Sequence, residues 1–247
     1  MKKNILNKKN CLITGATGTL GLCLAKYFAK NGCNLFLTSR SIDKLQNLKE
    51  ELESIIPDIK IFYEAGDLEN DSDIYKIIKK AQQEFETIDI LINNAGMFEV
   101  KSLLDTPAED FNTLFNINVR APFILSKELC KDMIKKRWGR IINIGSTAAY
   151  NGWADTALYC ASKHAILGFS RSLYEELKSD GVRVFCISPG TLVSKMGELV
   201  EEKFNLIPGT FIDPEEMAES IAFAIAYDKE MISKEIRLDR IQESINH

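Results

Sequence analysis

Short apolar runs alternate along the chain with longer stretches in which apolar positions recur every three or four residues. The pattern predicts strands at 11–15, 34–39, 59–65, 88–93, 140–146, 182–188 and 235–238. Between them it predicts helices at 20–30, 42–54, 71–86, 107–136, 156–179 and 214–228. Several strands, such as Leu35-Phe36-Leu37 and Val184-Phe185-Cys186-Ile187, are continuously apolar, which suits a parallel sheet covered on both faces. Two helices carry strong start signals. Thr106-Pro107-Ala108-Glu109 offers a cap hydroxyl, a proline at the first helical position and a glutamate three residues on, and Asp213-Pro214-Glu215-Glu216 repeats the logic. Regular strand–helix alternation predicts a doubly wound α/β fold, about seven parallel strands in one domain spanning 1–247. The segment 191–213 is the only long connection without a strand pattern, and is expected to form a substrate loop or lid.

The first strand runs through Thr14-Gly15-Ala16-Thr17-Gly18-Thr19-Leu20-Gly21 into a helix. Glycines in this turn permit a tight bend and let the backbone approach a pyrophosphate, while the helix N-terminus offers free N–H groups to the phosphates. A glycine triplet alone is weak evidence, but the first strand-to-helix turn is the context that dinucleotide binding requires. At the end of the second strand, Leu37-Thr38-Ser39-Arg40-Ser41 has no acid to bond a ribose 2′-hydroxyl. Arg40 instead offers a fork to a 2′-phosphate, so NADP(H) is expected in preference to NAD(H).

Composition narrows the picture mainly by exclusion. The 247 residues carry 31 Lys and Arg against 35 Asp and Glu, a net charge of −4, with no basic cluster to suggest nucleic-acid binding. No apolar run reaches membrane-spanning length, and the lysine-bearing Met1–Asn10 lacks the apolar core of a signal peptide. The six cysteines form no C-x-x-C pair and read as reduced core thiols of a cytoplasmic protein. With two histidines, His164 and His247, and no His/Cys/carboxylate cluster, no metal site is expected.

Tyr159 and Lys163 stand at i and i+4 on one helical face, but so do Tyr75/Lys79 and Tyr174/Lys178. A second criterion separates them. Ser146 lies thirteen positions before Tyr159, at the end of the preceding strand, whereas that offset leads from Tyr75 to Phe62 and from Tyr174 to Ala161. Further motifs follow in order: Asp67-Leu68 after the third strand, Asn93-Asn94-Ala95-Gly96 after the fourth, Asn118 in the next helix, and Pro189-Gly190 after the sixth.

Taken together, these motifs resemble the short-chain dehydrogenase/reductase family in its shorter, single-domain branch, over about residues 10–228. The spacing Gly15-x-x-Gly18-x-x-Gly21 looks like that of the longer branch, which includes sugar-nucleotide epimerases, with Thr19 where the shorter branch usually has glycine. The chain ends too soon after Gly190 for that branch's substrate domain. The tail Glu235–Arg240 also lacks the Asp-Gly-Gly ending usual in the family's acyl-carrier-protein reductases.

The resemblance implies a Rossmann-like fold and a catalytic set of Asn118, Ser146, Tyr159 and Lys163. Tyr159 would be the general acid/base, its pKa lowered by the Lys163 ammonium; Ser146 would orient a carbonyl, and Asn118 would hold a relay water. Cofactor contacts carry over to Gly15, Thr17, Gly18, Thr19, Leu20, Gly21, Arg40, Asp67, Leu68, Asn94, Ala95, Gly96, Pro189, Gly190, Thr191 and Ser194, with Tyr159 and Lys163 also touching the cofactor. Asp67 could instead merely cap the following helix, and Ser194 or Thr191 would supply a hydroxyl to the nicotinamide amide. His164 is assigned no role. Met97, Phe98, Tyr150, Trp153, Met196, Leu199 and Phe204 around the mouth hint at an apolar small-molecule carbonyl substrate. The expected activity is NADPH-dependent carbonyl reduction. The alternatives are an NAD-dependent alcohol dehydrogenase working oxidatively, or a non-catalytic dinucleotide sensor on the same fold. A homodimer or homotetramer built on helices 107–136 and 156–179 is expected.

Overall fold

The computed structural model describes residues 5–204 and 211–239. Residues 205–210 of the expected lid, Arg240 and His247 lie outside the described residues. Seven strands form one parallel sheet in the order β3-β2-β1-β4-β5-β6-β7. They are β1 (Asn10–Thr14), β2 (Asn34–Ser39), β3 (Ile61–Ala65), β4 (Ile90–Asn93), β5 (Gly139–Ile144), β6 (Val182–Pro189) and β7 (Glu235–Leu238). The strand order reverses between β1 and β4, and the carboxyl ends of these strands are the usual ligand position in such a Rossmann-like sheet.

Period-two alternation splits the core cleanly. Ile13, Leu35, Leu37, Ile92 and Ile187 point to one face, where α1 (Thr19–Lys30), α2 (Ile42–Ile55) and α8 (Pro214–Ala226) cover them. Leu12, Phe36, Leu91, Ile141 and Val184 point to the other, beneath α3 (Asp71–Glu84) and α5 (Ala121–Lys136). Burial on both faces explains the continuous apolar runs.

The predicted helix 107–136 is divided. α4 (Ala108–Phe115) passes through a π turn, Asn116–Arg120, into α5. Pro122 supplies the reason. It has no N–H for the carbonyl of Asn118, its i−4 partner, and its ring crowds that carbonyl, so the turn widens. The start signals fare unequally. Asp213 caps α8, its carboxylate accepting from Glu215 N–H at 2.8 Å. Thr106 does not cap α4; its hydroxyl donates to the Ser102 carbonyl at 2.7 Å, and Pro107 occupies the cap position. The segment 191–213 contains a helix, α7 (Lys195–Phe204), where a loop was expected. The long helix α6 (Ala157–Leu177) runs from the site into the body of the domain.

Candidate active site

The loop after β1 is shaped by what it excludes. Gly15 has φ +63, and a Cβ there would sit 3.0 Å from the Ala95 Cα. A Cβ on Gly21 would lie 2.1 Å from the Gly15 carbonyl oxygen, so α1 can pack this closely only with glycine at that position. Gly18 is the N-cap of α1 and provides no side-chain cap, leaving the first amides of the helix open beside Thr17, Thr19 and Leu20. Thr14, whose role the sequence reading missed, ties this loop to the one after β4. Its hydroxyl accepts from the N–H groups of Asn94 at 3.0 Å and Ala95 at 2.9 Å. Asn94 completes the tie, its side-chain amide donating to the carbonyls of Thr14 and Gly15 at 2.9 and 3.3 Å. The signal for Thr14 was a lone polar residue closing an apolar strand.

At the end of β2 the Thr38 and Ser39 hydroxyls are buried without hydrogen-bond partners. Arg40 beside them is exposed and makes no ion pair among the described residues. Orphaned hydroxyls, an uncommitted guanidinium and an open helix N-terminus at the carboxyl ends of β1 and β2 fit a phosphorylated dinucleotide.

The proton-transfer residues converge. Ser146 stands two residues beyond β5, its hydroxyl accepting from Ala148 N–H at 3.1 Å and near enough to the Tyr159 phenol to favour its ionised form. One turn along α6, Lys163 is buried, its ammonium donating to the Ile144 carbonyl at 2.9 Å and lying 5.6 Å from the Tyr159 ring centre. Gly96 opens directly onto this group: a Cβ there would be 3.5 Å from Asn118 Oδ1 and 3.8 Å from Lys163 Nζ. The electrostatics reverse one expectation. Burial pushes the Tyr159 phenol up to about 12; the nearby Ser146 hydroxyl opposes this, and Lys163 does not offset it. Burial likewise holds the Lys163 ammonium down to about 8. In the folded chain desolvation sets the direction of both groups.

Asn118 sits inside the π turn with its side chain fully engaged. Oδ1 accepts from Met97 N–H at 2.8 Å, and Nδ2 donates to the Met97 carbonyl at 2.9 Å and the Ser162 hydroxyl at 3.1 Å. Its main-chain carbonyl cannot accept the ordinary i+4 bond, because Pro122 has no N–H. Other predicted positions divide between structural and available groups. Asp67 does not cap α3: its carboxylate accepts from Glu69 N–H at 3.1 Å, a local turn, and its own N–H donates to Asp73 at 2.9 Å. The Leu68 side chain is in the core. Pro189 ends β6, and Gly190 N–H donates to the Leu238 carbonyl at 2.8 Å. The Ser194 hydroxyl is committed to the start of α7, accepting from Gly197 N–H at 3.0 Å and donating to the Leu192 carbonyl at 3.2 Å, which leaves Thr191 as the hydroxyl for a ligand. His164 Nδ1 pairs with the Cys160 carbonyl at 2.9 Å, away from Lys163.

This chain matches the family model for short chain dehydrogenases over residues 9–204. It belongs to the short-chain dehydrogenase family. As a short-chain dehydrogenase it is an NAD(P)-dependent oxidoreductase. It is similar to the 3-oxoacyl-[acyl-carrier-protein] reductase FabG of Rickettsia conorii, 34% identical over 224 residues that span 88% of this chain and 89% of the relative. Nodulation protein G of Rhizobium sp. is 32% identical, with 90% and 89% covered. Among solved structures, L-sorbose reductase from Gluconobacter frateurii, complexed with NADPH and L-sorbose, superposes with a TM-score of 0.86 at 25% identity, covering 95% of this chain and 96% of that one. A metagenomic short-chain oxidoreductase in complex with NADP gives 0.81 at 26% identity, covering 94% and 98%. No helix among the described residues is long and apolar enough to cross a membrane.

Proposed function

We propose that this short-chain dehydrogenase reduces a ketone or ketoacyl carbonyl to an alcohol, with NADPH as the preferred cofactor and Tyr159 as general acid. The observation that carries the reading is the Ser146–Tyr159 hydroxyl pair with Lys163 buried one turn away. The FabG relatives and the NADP(H)-bound neighbours support both the reaction class and the cofactor.

When bound, the cofactor supplies the hydride. Gly15, Thr17, Gly18, Thr19, Leu20 and Gly21 would hold its pyrophosphate at the open end of α1, and Arg40 with Thr38 and Ser39 its 2′-phosphate. Asp67 and Leu68 would flank the adenine, Asn94, Ala95 and Gly96 the ribose, and Pro189, Gly190 and Thr191 the nicotinamide. Ser146 orients the substrate carbonyl, and the Tyr159 O–H gives its proton to the oxygen as negative charge builds there. A phenol kept protonated by burial suits this acid role, and therefore reduction. Lys163 stabilises the phenolate left behind, and a water on the Asn118 carbonyl would return the proton from solvent.

Free thiols throughout fit a reducing, cytoplasmic setting. Phe111 and Phe123, half exposed on α4 and α5, fit a helix-paired homodimer or homotetramer; a monomer by light scattering would reject that arrangement. The functional test is a panel of carbonyl compounds followed by NADPH absorbance, with NADH in parallel. Oxidation of NADPH in preference to NADH is expected, and no turnover across ketones and ketoacyl esters would overturn the reading.

A further inference from the structure

One face of the Tyr159 ring is covered by a residue to which the reaction above gives no role. Phe98 meets that ring edge-on, the centroids 4.8 Å apart and the planes at 87°. It is held there through its neighbour. The Asn118 side chain grips the backbone of Met97 at both its N–H (2.8 Å) and its carbonyl (2.9 Å). The same loop is pinned again where Lys101 N–H donates to the Asp155 carbonyl at 2.7 Å, four residues before Tyr159. A ring tethered at two points is a fixed wall. Beyond it, the segments before α6 and around α7 expose Trp153, Val193, Met196 and Leu199 at 43%, 54%, 39% and 53%. Apolar groups left this open beside a site await an apolar occupant.

We propose that Phe98 is a positioning and specificity-determining residue of this site: its ring fixes the Tyr159 phenol against Ser146 and forms the wall on which an apolar substituent of the carbonyl substrate packs. The inference rests on the reductase reading and adds the residue that selects the substrate. It also gives the Asn118 side chain a purpose distinct from its carbonyl, since the side chain sets where Phe98 stands.

The groups facing the phenol are few. Lys163 and Cys160 come from its own helix and Ser146 from the segment after β5, while Glu99 of the Phe98 loop is turned to Lys101 at 2.9 Å. Removing the Phe98 ring therefore acts on Tyr159 through hydration and freedom of movement, with no new charge. Admitting water weakens the burial that holds the phenol up, so the alkaline limb of kcat, where the acid is lost, moves to lower pH.

The test compares wild type with Phe98→Ala and Phe98→Leu. Each is assayed with NADPH against a ketone bearing a bulky aryl or alkyl substituent and a small aliphatic ketone, across pH. Thermal melting and NADPH fluorescence titration establish that the variants fold and bind cofactor within about twofold of wild type. For Phe98→Ala, kcat/KM for the bulky ketone is expected to fall roughly tenfold, on the scale of a lost aromatic pair plus packing. The small ketone loses less, and the alkaline limb shifts to lower pH. Phe98→Leu recovers most of the KM for the bulky ketone. Equal losses on both ketones with an unmoved pH profile, or no loss at all, overturn the inference while leaving the reductase reading intact. No NADPH oxidation by wild type with either ketone overturns both.

Discussion

Lys163 offers a test in which stability and activity are expected to move in opposite directions. Its side chain is 6% exposed, it bonds a single carbonyl, and it has no carboxylate partner among the described residues. Burial lowers it from 10.5 to about 8. At ~1.36 kcal/mol per pH unit, keeping the ammonium charged inside the fold costs about 3 kcal/mol at pH 7. Lys163→Met keeps the apolar stem and gives up one hydrogen bond from a charged donor, about 1.5–3 kcal/mol. The variant should therefore be at least as stable as wild type at pH 7, gaining up to ~1.5 kcal/mol, a Tm rise of up to roughly 3–6 °C for a chain of this size, while losing carbonyl reduction. The sign of the pH dependence follows from the depressed value. Between about 8 and 10.5 the unfolded chain binds more protons at this lysine than the folded one, so wild-type stability gains with pH across that window, and the variant lacks this gain. The advantage of the variant should thus shrink towards pH 10.5. The assay is equilibrium urea denaturation of both proteins, without cofactor and at equal concentration, at pH 7, 8.5 and 10. A gap that does not change with pH, or a variant less stable than wild type at pH 7, refutes the buried-ammonium argument.

Three further outcomes are expected. Tyr159→Phe should abolish reduction while NADPH affinity stays within about twofold, as measured by fluorescence titration; normal turnover would reject Tyr159 as the acid. Arg40→Asp should move preference from NADPH towards NADH by at least ~10-fold in the ratio of kcat/KM, since a charge-assisted bond contributes about 1.5–3 kcal/mol, and an unchanged ratio would remove Arg40 from the phosphate site. Gly21→Ala puts a methyl 2.1 Å from the Gly15 carbonyl oxygen and should displace α1 from its loop, so that calorimetry detects no dinucleotide binding; retained affinity would contradict the packing described.

How far the sequence could be read depended on the range of the interaction involved. Strands β1, β2, β4 and β6 were legible as apolar runs with polar ends, and the catalytic group because Ser146 and Tyr159 stand thirteen positions apart across one strand–helix connection. Features decided by long-range partners were not. The Ser194 hydroxyl matched a ligand contact by position, yet the start of α7, unpredicted, claims it as a cap. Helical spacing placed Lys163 near Tyr159 but carried no information on burial, which sets the direction of both titrations. Asn118 was found by its order among the motifs; that its side chain is committed to the loop of Met97 emerged only with that loop in view. Pro122 stood in plain sight, but its effect on a helix depends on whether neighbouring elements hold the helix together around it.

The π turn at Asn116–Arg120 has a further consequence for how this site could be lost. It is a helix carrying one residue too many. Excising a single residue there, for example Ile117, would close the turn to ordinary α pitch with α4 and α5 near their present phase, because the i→i+5 bond of a π turn spans about the same rotation as the i→i+4 bond of an α turn. Asn118 would swing off Met97, and Phe98 would lose its tether to the Tyr159 ring. The apolar stripes of α4 and α5 would still face the protein. A deletion one residue long, with no catalytic side chain touched, would dismantle the site while sparing the packing of the helices around it.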